Sequence, residues 1–175
     1  MKNCLLTFAF FICFQMLSAQ NAVRLNIVLN HVQNLTVNAS QETTTLTYNT
    51  VEDYANGVAV VQKEHLNVFS TSPYVVKVRV VNEEFIKNGG EPGTGMLQPN
   101  VSVLAAPAAQ PDGVVTEGRI LSLEERAIIT GDNPAFDNKF DVTYKGPGGN
   151  ELIKYSEFGK VNTFTNVVLY SIEAK

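Results

Sequence analysis

The chain has 175 residues, a formal net charge of −4 at pH 7, no tryptophan, two cysteines and two histidines. That mildly acidic balance argues against nucleic acid and anionic membrane surfaces as partners. The size suits one self-sufficient core, and no apolar run reaches the roughly 20 residues of a membrane-spanning helix.

Residues 1–19 read as a secretory leader: Lys2, the apolar run CLLTFAFFICF, then small Ala19 ahead of an expected cut before Gln20. Both cysteines, Cys4 and Cys13, lie in it. The expected mature chain, one domain over residues 20–175, then carries no thiol for a disulfide, a metal or a nucleophile. It begins with NAVRLNIVLNHVQNLTVN, in which Val23, Leu25, Ile27 and Leu29 alternate with Arg24, Asn26, Val28 and Asn30. Such alternation is the pattern of a half-buried strand. Two owners fit it: the chain's own first strand, favoured for an isolated chain because Leu35 and Val37 continue the same odd-numbered face, or a groove in a neighbouring molecule.

Further along, TTTLTYN places Leu46 and Tyr48 on one face. TVEDYANG has Thr50 as a helix N-cap, Asp53 in the first turn and Gly57 as a stop, which predicts one short helix near 50–56. EHLNVFST sets Leu66 and Val68 against His65 and Asn67, and YVVKVRVV puts Tyr74, Val76, Val78 and Val80 on one face. KNGGEPGTGMLQPN, residues 87–100, reads as a long loop. LSLEERAII suggests two short strands about a bend near Glu124–Arg126. KFDVTYK directs Phe140, Val142 and Tyr144 inward, and KGPGGNE connects it to a further strand over 151–156. The last run groups Val168, Tyr170 and Ile172. Seven to nine short strands with few helices predict an all-β fold of two packed antiparallel sheets, with a β-barrel as the alternative.

No catalytic set is recognisable. His31 and His65 sit in strand-like runs without a Cys or carboxylate at ligand spacing and read as surface or strand-edge histidines. There is no G-x-S-x-G, H-E-x-x-H or P-loop, so no enzyme and no cofactor is expected. Glu83–Glu84 and Glu124–Glu125 are neighbours whose side chains diverge in a strand. In GDNPAFDNKFD, Asp132, Asp137 and Asp141 supply hard oxygen donors of the kind calcium prefers, without EF-hand spacing; paired Asx-turns are the structural alternative. Of the tyrosines, Tyr48, Tyr74, Tyr144 and Tyr170 fall on inward faces, leaving Tyr54 and Tyr155 for a sugar platform.

The succession LNIVLNHVQNLTVN, LTYNTVEDYANGV, EHLNVFSTSPYVVKV, FDVTYKG and VVLYSIEAK resembles a family of small secreted proteins from Bacteroidota. Those are similar to fimbrial or pilus subunits and to spore-coat-U-like β-sandwiches exported by chaperone–usher routes. The resemblance spans nearly the whole mature chain, with DYANGV and LYSIEAK its most particular stretches. It implies an immunoglobulin-like sandwich and export through the periplasm to the outer surface or medium. It also implies a structural or adhesive role, with other subunits, a periplasmic chaperone and an usher as partners. Many chaperone–usher subunits carry a disulfide and a penultimate aromatic; this mature chain has neither, ending Glu173-Ala174-Lys175. Assembly by strand exchange would make Val23, Leu25, Ile27 and Leu29 the inserted residues. The competing function is a secreted glycan- or calcium-binding sandwich.

Overall fold

A computed structural model describes residues 23–90, 95–97 and 100–175; the expected leader lies outside them. The chain divides into two units, residues 1–30 and 31–175.

The second unit is all-β. Its strands are β1 (Gln33–Val37), β2 (Ala59–Ser70), β3 (Tyr74–Val80), β4 (Glu84–Lys87), β5 (Met96–Leu97) and β6 (Ser102–Pro107). They continue with β7 (Val114–Thr116), β8 (Arg119–Ile120), β9 (Arg126–Gly131), β10 (Ala135–Lys145), β11 (Phe164–Thr165) and β12 (Val168–Ala174). Among the described residues one α-helix, α1 (Val51–Asn56), lies between β1 and β2, after a 3-10 turn at Ala39–Gln41. A five-stranded sheet of order β1-β2-β10-β6-β8 and a four-stranded sheet of order β12-β3-β9-β7 carry the core, and β11-β4-β5 form a small third sheet. All the pairings are antiparallel. Among the described residues no helix is long and apolar enough to cross a membrane.

The core follows from the alternation. Leu66, Val68, Phe140, Val142, Val103 and Ala105 come from the larger sheet; Tyr74, Val76, Val78, Val80, Ile128 and Ile129 come from the other. Lys77 and Arg79, at the intervening positions of β3, are only partly covered and pair with Glu173 and Glu125. Burying a Val, Leu or Ile side chain contributes roughly 1.5–3 kcal/mol, so these facing rows dominate the stability. Two irregularities let consecutive residues share the core. In β9 a register shift opposite Val76–Lys77 turns both Ile128 and Ile129 inward. In β2, Lys63, Glu64 and His65 lie opposite Asp141 alone, because Leu66 pairs with Phe140 while Gln62 pairs with Val142. Glu64 takes a φ of 48° there, and Asp141 holds the bulge. Its carboxylate accepts the Glu64 N–H at 2.9 Å and the Lys63 ammonium at 2.5 Å.

The helix forms where expected. Thr50 Oγ1 accepts the Asp53 N–H and Asp53 Oδ2 accepts the Thr50 N–H, a reciprocal capping box. Gly57 ends it at φ 80°, with a position for Cβ only 2.4 Å from Gly146 O, so no other residue fits. The helix is closed at its other end by a distant loop: the Gly149 and Asn150 N–H groups donate to Ala55 O and Tyr54 O.

Several expectations need correction. Residues 23–32 form no strand, and the chain's first strand starts at Gln33. Residues 43–49 are extended with alternating exposure but join no ladder; side chains hold them instead, through Gln62 Nε2 on Thr44 Oγ1 and Tyr48 OH on Pro147 O. The strand expected over 151–156 is a 3-10 turn at Ile153–Tyr155, wound by successive bonds such as Ile153 N–H to Asn150 O and Ser156 N–H to Ile153 O. The 87–100 loop contains β5. His65 is buried, not at the surface, because the β2 bulge turns it inward together with Leu66.

Candidate functional site

The alternating N-terminal residues are exposed. Val23, Leu25, Ile27 and Leu29 are 92%, 83%, 77% and 88% exposed, and Val28 on the other face 78%. No other run of the described residues leaves so many consecutive apolar side chains in water, and scattered exposed apolar residues elsewhere are ordinary.

Each main sheet ends in edge strands of unequal length. The larger ends in β1, with five residues, and β8, with two; the smaller ends in β7, with three, and β12, with seven. An edge strand offers unpaired N–H and C=O groups to any strand that approaches. Beside this longest edge, Val168, Tyr170 and Ile172 pack against the core but are only half-buried.

The three aspartates considered for calcium are not brought into one ligand set. Asp132 pairs with the Lys175 ammonium at 2.5 Å, Asp137 accepts from Asn67 Nδ2 at 2.6 Å, and Asp141 is occupied by Lys63 and the Glu64 N–H. Lys63, then the Glu64 N–H, hold the Asp141 carboxyl below its usual value. Among the described residues no group of three or more His, Cys, Asp or Glu side chains could hold a metal ion. His31 contacts Thr71 Oγ1 through Nδ1 at 3.1 Å. Glu124 and Glu125 pair with Arg126 and Arg79.

His65 belongs to a buried polar chain linking the sheets. Its Nδ1 lies 2.9 Å from Gln41 Oε1, its Nε2 lies 3.0 Å from Tyr144 OH, and Tyr144 OH lies 2.6 Å from Tyr170 OH. Gln41 Nε2 donates to Lys63 O at 2.9 Å, which leaves Oε1 to accept from His65 Nδ1–H. With the imidazole held neutral by burial, Nε2 accepts from Tyr144 and Tyr144 accepts from Tyr170. Burial lowers the His65 pKa and raises those of Tyr144 and Tyr170.

A cleft of about 510 Å³ opens within the sandwich unit. One wall is the extended 45–49 segment with Tyr54 of α1; a second takes Leu152, Tyr155, Ser156 and residues 160–164. Gly146, Pro147 and Val101, with Phe85 of β4 and Met96 of β5, complete the lining. Tyr48 anchors the first wall, donating to Pro147 O at 2.8 Å, with its ring centroid 5.3 Å from that of Tyr54. Tyr155 and Phe164 stand 5.7 Å apart at 66° on the second, and Lys154 lies 5.0 Å from the Tyr155 centroid. Tyr54 and Tyr155 thus line one cleft, which the sequence had left as two separate candidates. Tyr48 and Phe164 were missed, since nothing local shows that residues 43–49 and 160–164 come together.

No protein-family model matches this chain, and no curated protein is similar to it in sequence.

Proposed function

We propose that the chain is a non-catalytic, exported structural or adhesive subunit that assembles with other subunits of its kind by strand addition. The observation that carries this reading is the exposed, alternating row Val23, Leu25, Ile27 and Leu29. Residues 23–29 match β12 in length, seven residues against seven, or roughly 23 Å at 3.3 Å per residue. Laid beside β12 of a second copy, the arm satisfies that edge's free backbone groups. It also carries apolar side chains toward the half-buried Val168, Tyr170 and Ile172. Without it, that edge carries the hazard of any long unpaired strand. The leader-like residues 1–19 support export, and the likeness to fimbrial subunits supports a periplasmic chaperone and an usher as handling partners.

The test compares residues 20–175 with residues 31–175 by light scattering and chemical cross-linking. The longer chain is expected to form oligomers and the shorter one to remain a folded monomer. Equal association of both would remove the arm from the mechanism.

A further inference from the structure

We infer that the cleft between Tyr54 and Tyr155 is a binding site for a neutral oligosaccharide. Its volume, about 510 Å³, falls inside the range of roughly 300–1,000 Å³ found for small-molecule sites. Its chemistry is selective. Among the described residues that line it none is acidic, and the only base is Lys160. That ammonium pairs with Glu157 at 2.7 Å. Glu157 is itself shared with Lys87 at 2.5 Å, and Lys160, then Lys87, draw its carboxyl down to about 2. The one charged side chain of the lining is therefore already ion-paired, and Lys154, whose ammonium lies 5.0 Å from the Tyr155 centroid, is not among the lining residues.

What remains is aromatic surface and uncharged hydrogen-bonding groups. The Tyr54 and Tyr155 hydroxyls make no hydrogen bond to another described residue, and neither do the side chains of Thr45, Thr47, Asn49 and Thr163. An apolar ligand would leave those donors and acceptors unpaired where it covered them, which disfavours it. A pyranose satisfies both halves of the site: its axial C–H face packs on an aromatic ring while its equatorial hydroxyls exchange hydrogen bonds with threonine, asparagine and tyrosine. The walls are held before any ligand arrives. Tyr48 is fixed by Pro147 O, and Asn162 Nδ2 ties Tyr155 O to Glu157 at 2.9 and 3.2 Å. None of its lining residues belongs to the N-terminal arm.

The experiment titrates ¹⁵N-labelled residues 31–175 and 20–175 with neutral tetrasaccharides: β-1,4-glucose, α-1,4-glucose, β-1,4-xylose and β-1,4-N-acetylglucosamine. At least one is expected to shift amides of residues 45–54 and 152–164 in both lengths of chain. Tyr54→Ala and Tyr155→Ala are each expected to weaken that sugar's calorimetric affinity at least tenfold, and Tyr54→Phe by less than Tyr54→Ala, because it keeps the ring. Shifts by none of the four sugars overturn the inference without reference to any variant. So does binding that both alanine variants leave intact while they keep the parent melting temperature, or amide shifts there only with a sulfated oligosaccharide or an apolar peptide.

Discussion

The hydroxyls of Tyr144 and Tyr170 meet at 2.6 Å, one from the five-stranded sheet and one from the four-stranded sheet. They continue a hydrogen-bonded line through His65 to Gln41 in which every donor has one acceptor. With a neutral imidazole the line runs from Tyr170 to Gln41; a second proton on Nε2 would reverse both hydroxyl bonds and set a charge in a buried site. Burial lowers the folded-state pKa of His65 below its ordinary 6.5. Above 6.5 both folded and unfolded states are neutral and the full stability is present. As pH falls through 6.5 the unfolded state takes up its proton first, and stability is lost down to the folded-state pKa. The melting temperature is therefore expected to drop over the interval just below pH 6.5. His65→Gln should melt lower at pH 7.5 but lose less over that interval. Parallel pH profiles for the two proteins would contradict this.

Asp141 and Glu64 define the second test. Asp141→Ala removes the acceptor that holds the bulge and leaves the Glu64 N–H without its partner, an expected loss of about 1–2 kcal/mol in urea unfolding. Glu64→Gly should behave differently. A non-glycine residue at φ 48° carries a conformational penalty of about 1–2 kcal/mol, offset by glycine's larger unfolded-state freedom. Stability is expected to stay level or rise by up to about 1 kcal/mol. A loss larger than that would show that the bulge does not hold this conformation in solution.

Gly131 and Tyr74 are direct cross-strand partners on β9 and β3. A Cβ on Gly131 would stand 2.3 Å from Tyr74 Cε1, and Tyr74 is fully buried with its hydroxyl 3.4 Å from Asn138 Nδ2. Gly131→Ala is expected to cost about 1–3 kcal/mol through overpacking. In a Tyr74→Leu background the same change should cost much less. A double-mutant cycle reads the coupling, and additive losses would show that the ring and the glycine do not constrain each other.

Leu25→Asp and Ile27→Asp separate assembly from folding. Both side chains are exposed, so thermal unfolding of the purified monomer should be unchanged within about 0.5 kcal/mol. Cross-linked oligomers should nonetheless disappear. A lowered melting temperature in the monomer would instead place these residues against their own sandwich.

The sequence showed where the core lies more clearly than how the strands pair. Tyr74, Val76, Val78 and Val80, or Phe140, Val142 and Tyr144, alternate because one side of each strand is buried, and burial is what composition records. Thr44, Leu46 and Tyr48 alternate for the same reason, yet their backbone joins no ladder, so period two reports a covered face and not a neighbour. The bulge at Glu64 was illegible: nothing around Lys63-Glu64-His65 announces a left-handed residue, and without the bulge His65 reads as outward. The helix was legible because Thr50, Asp53 and Gly57 act within one turn of each other. The cleft was not, because its walls are brought together by long-range contacts among residues 45–54, 146–147 and 152–164.

The helix ending at Asn56 has a further consequence for how the protein is made. It is only six residues long, too short to persist alone in water. Two of its terminal carbonyls are satisfied by Gly149 and Asn150. The adjoining Tyr48 is tied to Pro147, 99 positions later. A nascent chain has no such partners until the end of β10 and its following loop have left the ribosome. The N-terminal wall of the cleft therefore forms late in synthesis, and a polypeptide truncated before residue 146 would display Tyr48 and Tyr54 without the surface they complete.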